Sequence, residues 1–161
     1  KQGAMWGVWS YRRGLEIDIA VARLVGRTWT TPELIGTGNG VADLDPRITF
    51  VGEIPFVTWW QDGPALRDER VVFAIRWNNS WVGPIQINTE GIPGSRPNIF
   101  GGDDDEVTIG WVDPDGVLHG NGVRIKPKDP EPEGGTIGPD PLPSIVVGDP
   151  PKNSGGSSQN R

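Results

Sequence analysis

The stretch RVVFAIRWNNSWVGPIQI, at residues 70–87, decides the fold because IDIAVARLVGRTWTTPELI, at residues 17–35, follows the same plan. Each stretch is an apolar strand, a polar turn, a tryptophan, a proline and a second short apolar segment. The offset is 52 residues between Trp29 and Trp81, and again between Pro32 and Pro84. A repeat of about 50 residues with four short strands predicts the blades of a β-propeller.

Strand patterns extend beyond these two stretches. Apolar residues alternate with polar ones, or form short β-branched runs, between turn-forming Gly, Asn, Asp and Pro residues. The predicted strands are residues 5–10, 17–24, 47–51, 55–61, 70–77, 81–87, 106–112 and 117–125. The strongest helix candidate, residues 15–24, has Ile17, Ile19 and Val21 at period two. We therefore expect an all-β protein of four-stranded antiparallel blades with almost no helix.

Composition divides the chain into two regions. Of its 161 residues, 24 are glycine and 16 are proline, and all eight tryptophans precede residue 126. Residues 1–125 are the predicted β-repeat body, and residues 126–161 are a predicted extended C-terminal arm rich in Pro, Gly and Ser, because proline fixes φ and lacks an N–H donor. Within the arm, Leu142 and the apolar run at 144–147 are suited to adding a strand to a sheet edge or anchoring in a groove.

Several classes of function are excluded or disfavoured. The chain contains no cysteine, so it has no disulfide framework, thiolate zinc site or cysteine nucleophile. It contains no run of 18 apolar residues, so the sequence predicts no membrane span. A net charge of −6 disfavours a general nucleic-acid-binding role. No cofactor is indicated by any motif.

The turn at residues 22–29, Ala-Arg-Leu-Val-Gly-Arg-Thr-Trp, resembles the Asp box, Ser-x-Asp-x-Gly-x-Thr-Trp, of sialidase-like BNR-repeat propellers. Gly26, Thr28 and Trp29 match that motif, whereas Ala22 and Leu24 stand where the family has Ser and Asp. In the second copy, Ser80 and Trp81 match. The resemblance covers about residues 4–112 and implies a propeller whose tryptophans pack between blades. It also implies a protein of the cell exterior or the periplasm.

The phase of the repeat predicts an incomplete ring. The chain opens at the second strand of one unit, continues through a complete unit, and begins a third at Asn98 that fades by about Ile125. These two and a half blades are fewer than the four that a closed propeller needs. We expect either that the chain is part of a longer protein or that a partner, or its own arm, covers the open edges.

Candidate chemistry is sparse. The resemblance implies that a sialidase would need a tyrosine nucleophile paired with a glutamate. The only counterparts in this chain are Tyr11 and Glu16, and Tyr11 is interpreted as a packing or loop residue. His119 is the only histidine, is expected in a hairpin loop, and cannot form a histidine-rich metal site. No metal site is therefore predicted.

Three loop motifs have both a functional and a structural interpretation. The acidic run Asp103-Asp104-Asp105-Glu106 is interpreted as a solvated turn, with calcium binding as the alternative. Residues 113–116 are expected to form a β-turn rather than an EF-hand loop. The glycine-rich segment 36–40 is expected to connect two units, because no Lys-Ser/Thr pair or helix follows it.

The tryptophans divide into two predicted groups. Trp9, Trp29, Trp59 and Trp81 recur with the repeat and are expected in the core between blades. The candidate contacts to a partner or a glycan are Trp6, Trp60 and Trp77 in the body and Leu142, Ile145 and Val147 in the arm.

The sequence thus favours a non-catalytic structural or protein-binding subunit of a larger extracytoplasmic assembly. Its partners would be other protein chains, with the arm lying along one of them. The main alternative is a glycan-binding module or a fragment of a sialidase-like glycoside hydrolase. A third interpretation is a β-sandwich adhesion domain.

Overall fold

The structure, a computed structural model, describes residues 5–63, 65, 67–88, 92–100, 105–126 and 142–148. This part of the chain is all-β, as predicted, and contains no helix. It therefore contains no helix long and apolar enough to cross a membrane.

Twelve strands are formed in the described part of the chain. All eight predicted strands are present, with bounds within a few residues of those expected. The strands are β1 (Met5–Arg13), β2 (Glu16–Val25), β3 (Thr28–Trp29), β4 (Glu33–Ile35), β5 (Ala42–Val51), β6 (Ile54–Asp62), β7 (Arg70–Trp77), β8 (Ser80–Gln86), β9 (Ser95–Ile99), β10 (Glu106–Val112), β11 (Leu118–Lys126) and β12 (Ser144–Gly148).

The strands form two hydrogen-bonded sheets, which divide into three units. Strands β5 to β8 form an antiparallel meander, the central unit, and β9 to β12 form another, the C-terminal unit. In the N-terminal unit, β1, β3 and β4 all pair with β2. The N-terminal and central units count as one sheet only because Ile17 pairs with Ala42 in parallel.

The central unit is buried on both faces. Because successive side chains of a strand point to opposite faces, Val71, Phe73 and Ile75 enter one core while Val72 and Ala74 enter the other. A strand covered on both sides needs apolar residues at every position, which explains the unbroken apolar run in β7. The central unit thus lies between the other two.

The two cores have different partners. The larger core joins the central unit to Val107, Ile109 and Trp111 of the C-terminal unit, and contains a stacked Phe56–Phe73 pair with ring centroids 5.0 Å apart. The smaller core joins the central unit to Ile19 and Val21 of the N-terminal unit. Its buried members are Ile19, Val21, Ile35, Val57, Trp59, Val72 and Ala74.

The C-terminal unit is more complete than the sequence indicated. The repeat was expected to fade by about Ile125, but β12 supplies a fourth strand from within the predicted arm. It pairs antiparallel with β11, with Ile125 opposite Ile145 and Val123 opposite Val147. The expected addition of a strand to a sheet edge is therefore confirmed, and the edge belongs to this chain.

Replacing Phe73 with Ala should destabilise the protein by about 3–5 kcal/mol, because the truncation leaves a cavity beside Phe56 in a fully buried core. The matched control is Phe50→Ala at an exposed position of β5, which should cost far less. Urea unfolding of both variants measures the difference. Equal losses would contradict the placement of Phe73.

Candidate functional site

The outward side of the N-terminal unit, here called the N-terminal face, carries large exposed side chains. Trp9 is 37% exposed and Trp29 is 49% exposed, and they share the face with Met5 and Tyr11. Small residues lie beneath them, since Trp9 pairs with the buried Ala20.

The two tryptophans border a shallow hollow in this face. A Cβ on Gly7 would lie 3.4 Å from the Trp29 ring, so the indole lies across the strand at that glycine. The hollow has a volume of about 440 Å³ and a mainly apolar lining of Gly7, Val8, Trp9, Ala22, Trp29, Thr30 and Pro32. This arrangement is suited to receiving apolar groups.

The expected core positions of the tryptophans are correct only in part. Trp59 is fully buried, as predicted, and Trp81 is half-buried, but the prediction for Trp9 and Trp29 is wrong. In β1, Trp6 lies three residues from Trp9 and therefore points to the opposite side, toward the central unit. The repeat fixes the spacing of tryptophans but not which face meets a neighbour.

Trp6 is a half-buried contact inside the chain. Its ring meets Trp81 edge to face with centroids 6.3 Å apart, and the Arg76 guanidinium lies 5.5 Å from the centre of the Trp6 ring. Glu33 accepts hydrogen bonds from Arg76 and, at 3.1 Å, from Nε1 of Trp81. This cluster joins the N-terminal unit to the central one and leaves little of Trp6 for a partner.

The other predicted contact residues are dispersed. Trp60 is half-buried and donates from Nε1 to Asp45 at 3.3 Å, and Trp77 is half-buried at the end of β7. In the arm, Ile145 packs against the larger core, Val147 is on the same side of β12, and Leu142 is exposed. The structure does not bring these six residues into one site.

The outward side of the C-terminal unit, here called the C-terminal face, has a floor of glycines. Gly110 pairs with Gly120 between β10 and β11, and Gly122 pairs with Gly148 between β11 and β12. The Phe100 ring covers Gly110, since a Cβ there would lie 2.5 Å from the ring. Exposed apolar side chains border this floor at Phe100, Leu118 and Val146.

Asp43 is a buried carboxylate held by three side-chain donors. Its Oδ1 accepts from Nε1 of Trp59 at 2.7 Å and from Nε2 of Gln61 at 2.9 Å, and Asn39 donates to its Oδ2 at 3.2 Å. Burial raises the pKa of Asp43 above its usual range, against the opposing effect of these hydrogen bonds. The network ties the glycine-rich segment between β4 and β5 to β6, so its first role is structural.

Asp18 is the second buried carboxylate of this region. It is 1% exposed, its Oδ2 accepts no hydrogen bond from the described residues, and Nη2 of Arg13 lies 3.6 Å from that oxygen. The negative charge of Asp18 contributes to the raised pKa of Asp43. Both carboxylates are inaccessible, so they are not placed to act on a substrate.

Two polar clefts lie between strands. One, of about 310 Å³, is lined by Arg67, Asp68, Glu69, Arg70, Gln86, Asn88, Ile92 and Pro93. The other, of about 440 Å³, lies between β5 and the C-terminal unit and is lined by Arg47, Ile48, Thr49, Phe50, Asn98, Ile99, Glu106 and Val107. In the first cleft Asp68 pairs with Arg70 at 3.0 Å, and in the second Glu106 pairs with Arg124.

His119 lies in strand β11 rather than in a loop, so its predicted position is wrong. The predicted β-turn over residues 113–116 is present and is closed by a hydrogen bond from the Gly116 N–H to the Asp113 carbonyl. Because the turn ends at Gly116, β11 begins at Leu118 and includes His119. Nε2 of His119 lies 2.8 Å from Oδ2 of Asp113, and this hydrogen bond holds the pKa of Asp113 below its usual range.

The acidic run is only partly described. Asp103 and Asp104 lie outside the described residues, while Asp105 and Glu106 both lie near Arg124. Within the described ranges, no group of three or more His, Cys, Asp or Glu side chains is placed to hold a metal ion.

Comparisons with protein-family models, with curated proteins and with solved structures find no match to this chain. Its function is therefore inferred from its own geometry.

The Asp43 carboxyl should make stability fall as pH rises. Its raised pKa means that the folded protein holds a proton that the unfolded chain has released, so stability drops as pH increases from the ordinary value of 3.8 through the folded value. Asp43→Asn should remove this component, so its stability relative to wild type should improve as pH rises. Urea unfolding from pH 4 to pH 8 measures the free energy of unfolding of both proteins, with Asp62→Asn at an exposed position as the control. Parallel pH profiles for wild type and Asp43→Asn would contradict the prediction.

Proposed function

We propose that this chain is a non-catalytic, protein-binding subunit of a larger extracytoplasmic assembly. Its three units would be successive blades of a sialidase-like propeller segment. The rest of the predicted C-terminal arm, outside the described residues, would lie along a partner. The placement outside the cytoplasm rests on the likeness to secreted repeat proteins and on the lack of cysteine.

The N-terminal face carries this proposal. An apolar patch formed by Met5, Trp9, Tyr11 and Trp29 is typical of surfaces that become buried in a complex, because tryptophan and tyrosine supply large contact areas at low entropic cost. The mainly apolar lining around Trp9 and Trp29 favours a protein partner over a sugar, which needs polar neighbours beside the stacking ring.

The blade interpretation is supported by the order of packing. Three antiparallel units follow one another along the chain, and each contacts the next face to face through a separate apolar core. Successive propeller blades are related in this way.

A non-catalytic role is supported by the positions of the acids and of the tyrosine. Tyr11 lies on the N-terminal face, opposite Asp18 in the β1–β2 ladder. Glu16, its nearest candidate partner, is paired with Arg13 at 3.0 Å. Glu16 is thus engaged by an arginine, and the acids Asp18 and Asp43 are buried away from solvent.

In native assemblies isolated from the source, Trp9 and Trp29 should be protected from hydroxyl-radical oxidation, whereas both should be modified in the purified chain. Leu15 is the control, because it is 99% exposed at the β1–β2 turn and should react equally in both samples. Mass spectrometry of peptides reports each position. Equal oxidation of Trp9 and Trp29 in both samples would contradict a protein-covered face.

A glycan-binding role is the second candidate, and the polar cleft near Asp68 is the observation that favours it. Against this role, the side-chain amides that line the cleft are already used within the chain. Gln86 donates to the Asn88 carbonyl at 3.1 Å, and Asn88 donates to the Ile92 carbonyl at 2.7 Å. Saturable binding to a glycan array that is lost in Arg67→Ala would favour this role over the first.

A further inference from the structure

We infer that the N-terminal face of one copy of this chain packs on the C-terminal face of a second copy, so that two copies close head to tail into a ring. This inference rests on the proposed function and names the partner as the chain itself. It starts from the fact that the central unit is covered on both sides while each end unit has one exposed outward face.

The two outward faces have complementary shapes. The N-terminal face projects the rings of Trp9 and Trp29. On the C-terminal face, the Phe100 ring covers Gly110 and Gly122 is buried, but the backbone is open at their pairing partners Gly120 and Gly148. A Cβ added at Gly148 would meet nothing within 4 Å, and one at Gly120 would be in ordinary contact only. The C-terminal face therefore has space at these two glycines for the rings of the N-terminal face.

The charges of the two end segments are also complementary. Among the described residues, residues 5–36 carry four basic and three acidic side chains, whereas residues 92–100 and 105–126 carry three basic and four acidic ones. Packing unlike ends together brings opposite net charges into proximity, whereas packing two N-terminal faces together would bring like charges together. Charge therefore favours packing of unlike faces over packing of two like faces.

The number of copies follows from the number of units. Propeller rings contain about four to eight blades, so two sets of the three units formed by the described residues give a ring within this range, whereas one set gives too few and three sets too many. A head-to-tail contact that closes in this way gives a finite ring instead of a filament.

The contact area is sufficient only when the ring closes. The N-terminal face is about three strands wide, and three strands at about 4.8 Å spacing with about seven residues at about 3.3 Å cover roughly 330 Å² on each partner. One such contact buries roughly 670 Å² in total, which is small for a stable complex, but the two contacts of a closed pair bury roughly 1,300 Å², within the range of specific interfaces.

Analytical ultracentrifugation of the purified chain tests the inference. The molar mass measured for the wild-type chain should be twice the chain mass of 17.4 kDa. At the same concentrations, a variant of either face should have the mass of a single chain. The N-terminal-face variant is Trp9→Ser with Trp29→Ser. The C-terminal-face variant is Gly120→Arg, with Gly148→Arg as a second form in case the first does not fold. Leu15→Ser, outside both faces, is the control and should remain dimeric.

Mixing the two face variants tests the direction of packing. Each variant alone has both contacts of the ring damaged, but a mixed pair retains one intact contact, so the mixture should form a weak heterodimer that neither variant forms alone. A dimer formed through two like faces would instead leave one of the two variants dimeric by itself.

Three results would overturn the inference: a wild-type chain that is monomeric at all concentrations, a dimer that survives in either face variant, or a wild-type polymer larger than two copies. A monomeric chain whose Trp9 and Trp29 are still protected in native assemblies would leave the proposed function standing. Failure of that protection would instead count against the proposed function.

Discussion

The alternation of side chains in β7 is the constraint on which the rest of the structure depends. Val71, Phe73 and Ile75 point to the C-terminal unit, and Val72 and Ala74 point to the N-terminal unit. A shift of one residue in register would exchange the two sets and would place the Phe73 ring in the smaller core. The central unit therefore determines both the order of the units and the side on which each packs.

Buried polar groups make the connection between the first two units specific. Gly36 has φ of 77°, and a Cβ there would lie 2.9 Å from Oδ2 of Asp43 and 3.3 Å from the Trp59 ring, so only glycine allows this close approach. Asp43 in turn accepts the indole N–H of Trp59, which would otherwise be buried without a partner. The glycine-rich segment 36–40 is thus a fitted connection between β4 and β5.

The sequence was informative about strands and less so about faces. Alternation located β7 and β10 to the residue, since each is bounded by clear turn signals. Strand β12 was foreseen only as an edge addition, because it follows a long proline-rich stretch that obscures its place in the repeat. The positions of Trp9 and Trp29 were missed because the period of a repeat does not say which side of a unit has a neighbour. The glycine floor was missed because its members come together only through the β10–β11–β12 register.

The end units depart from the pattern expected of surfaces that remain in water. An antiparallel sheet with one solvated face normally carries polar residues at its outward positions. The outward positions of the N-terminal unit include the exposed Trp9 and Trp29, and those of the C-terminal unit include Gly120 and Gly148 beside the Glu106–Arg124 ion pair. Glycine weakens a strand, and exposed aromatic rings favour association, so neither choice benefits an isolated sheet. Both choices become favourable if the rings of one face fill the space above the glycines of the other, in the same face-to-face manner by which the central unit packs against its neighbours.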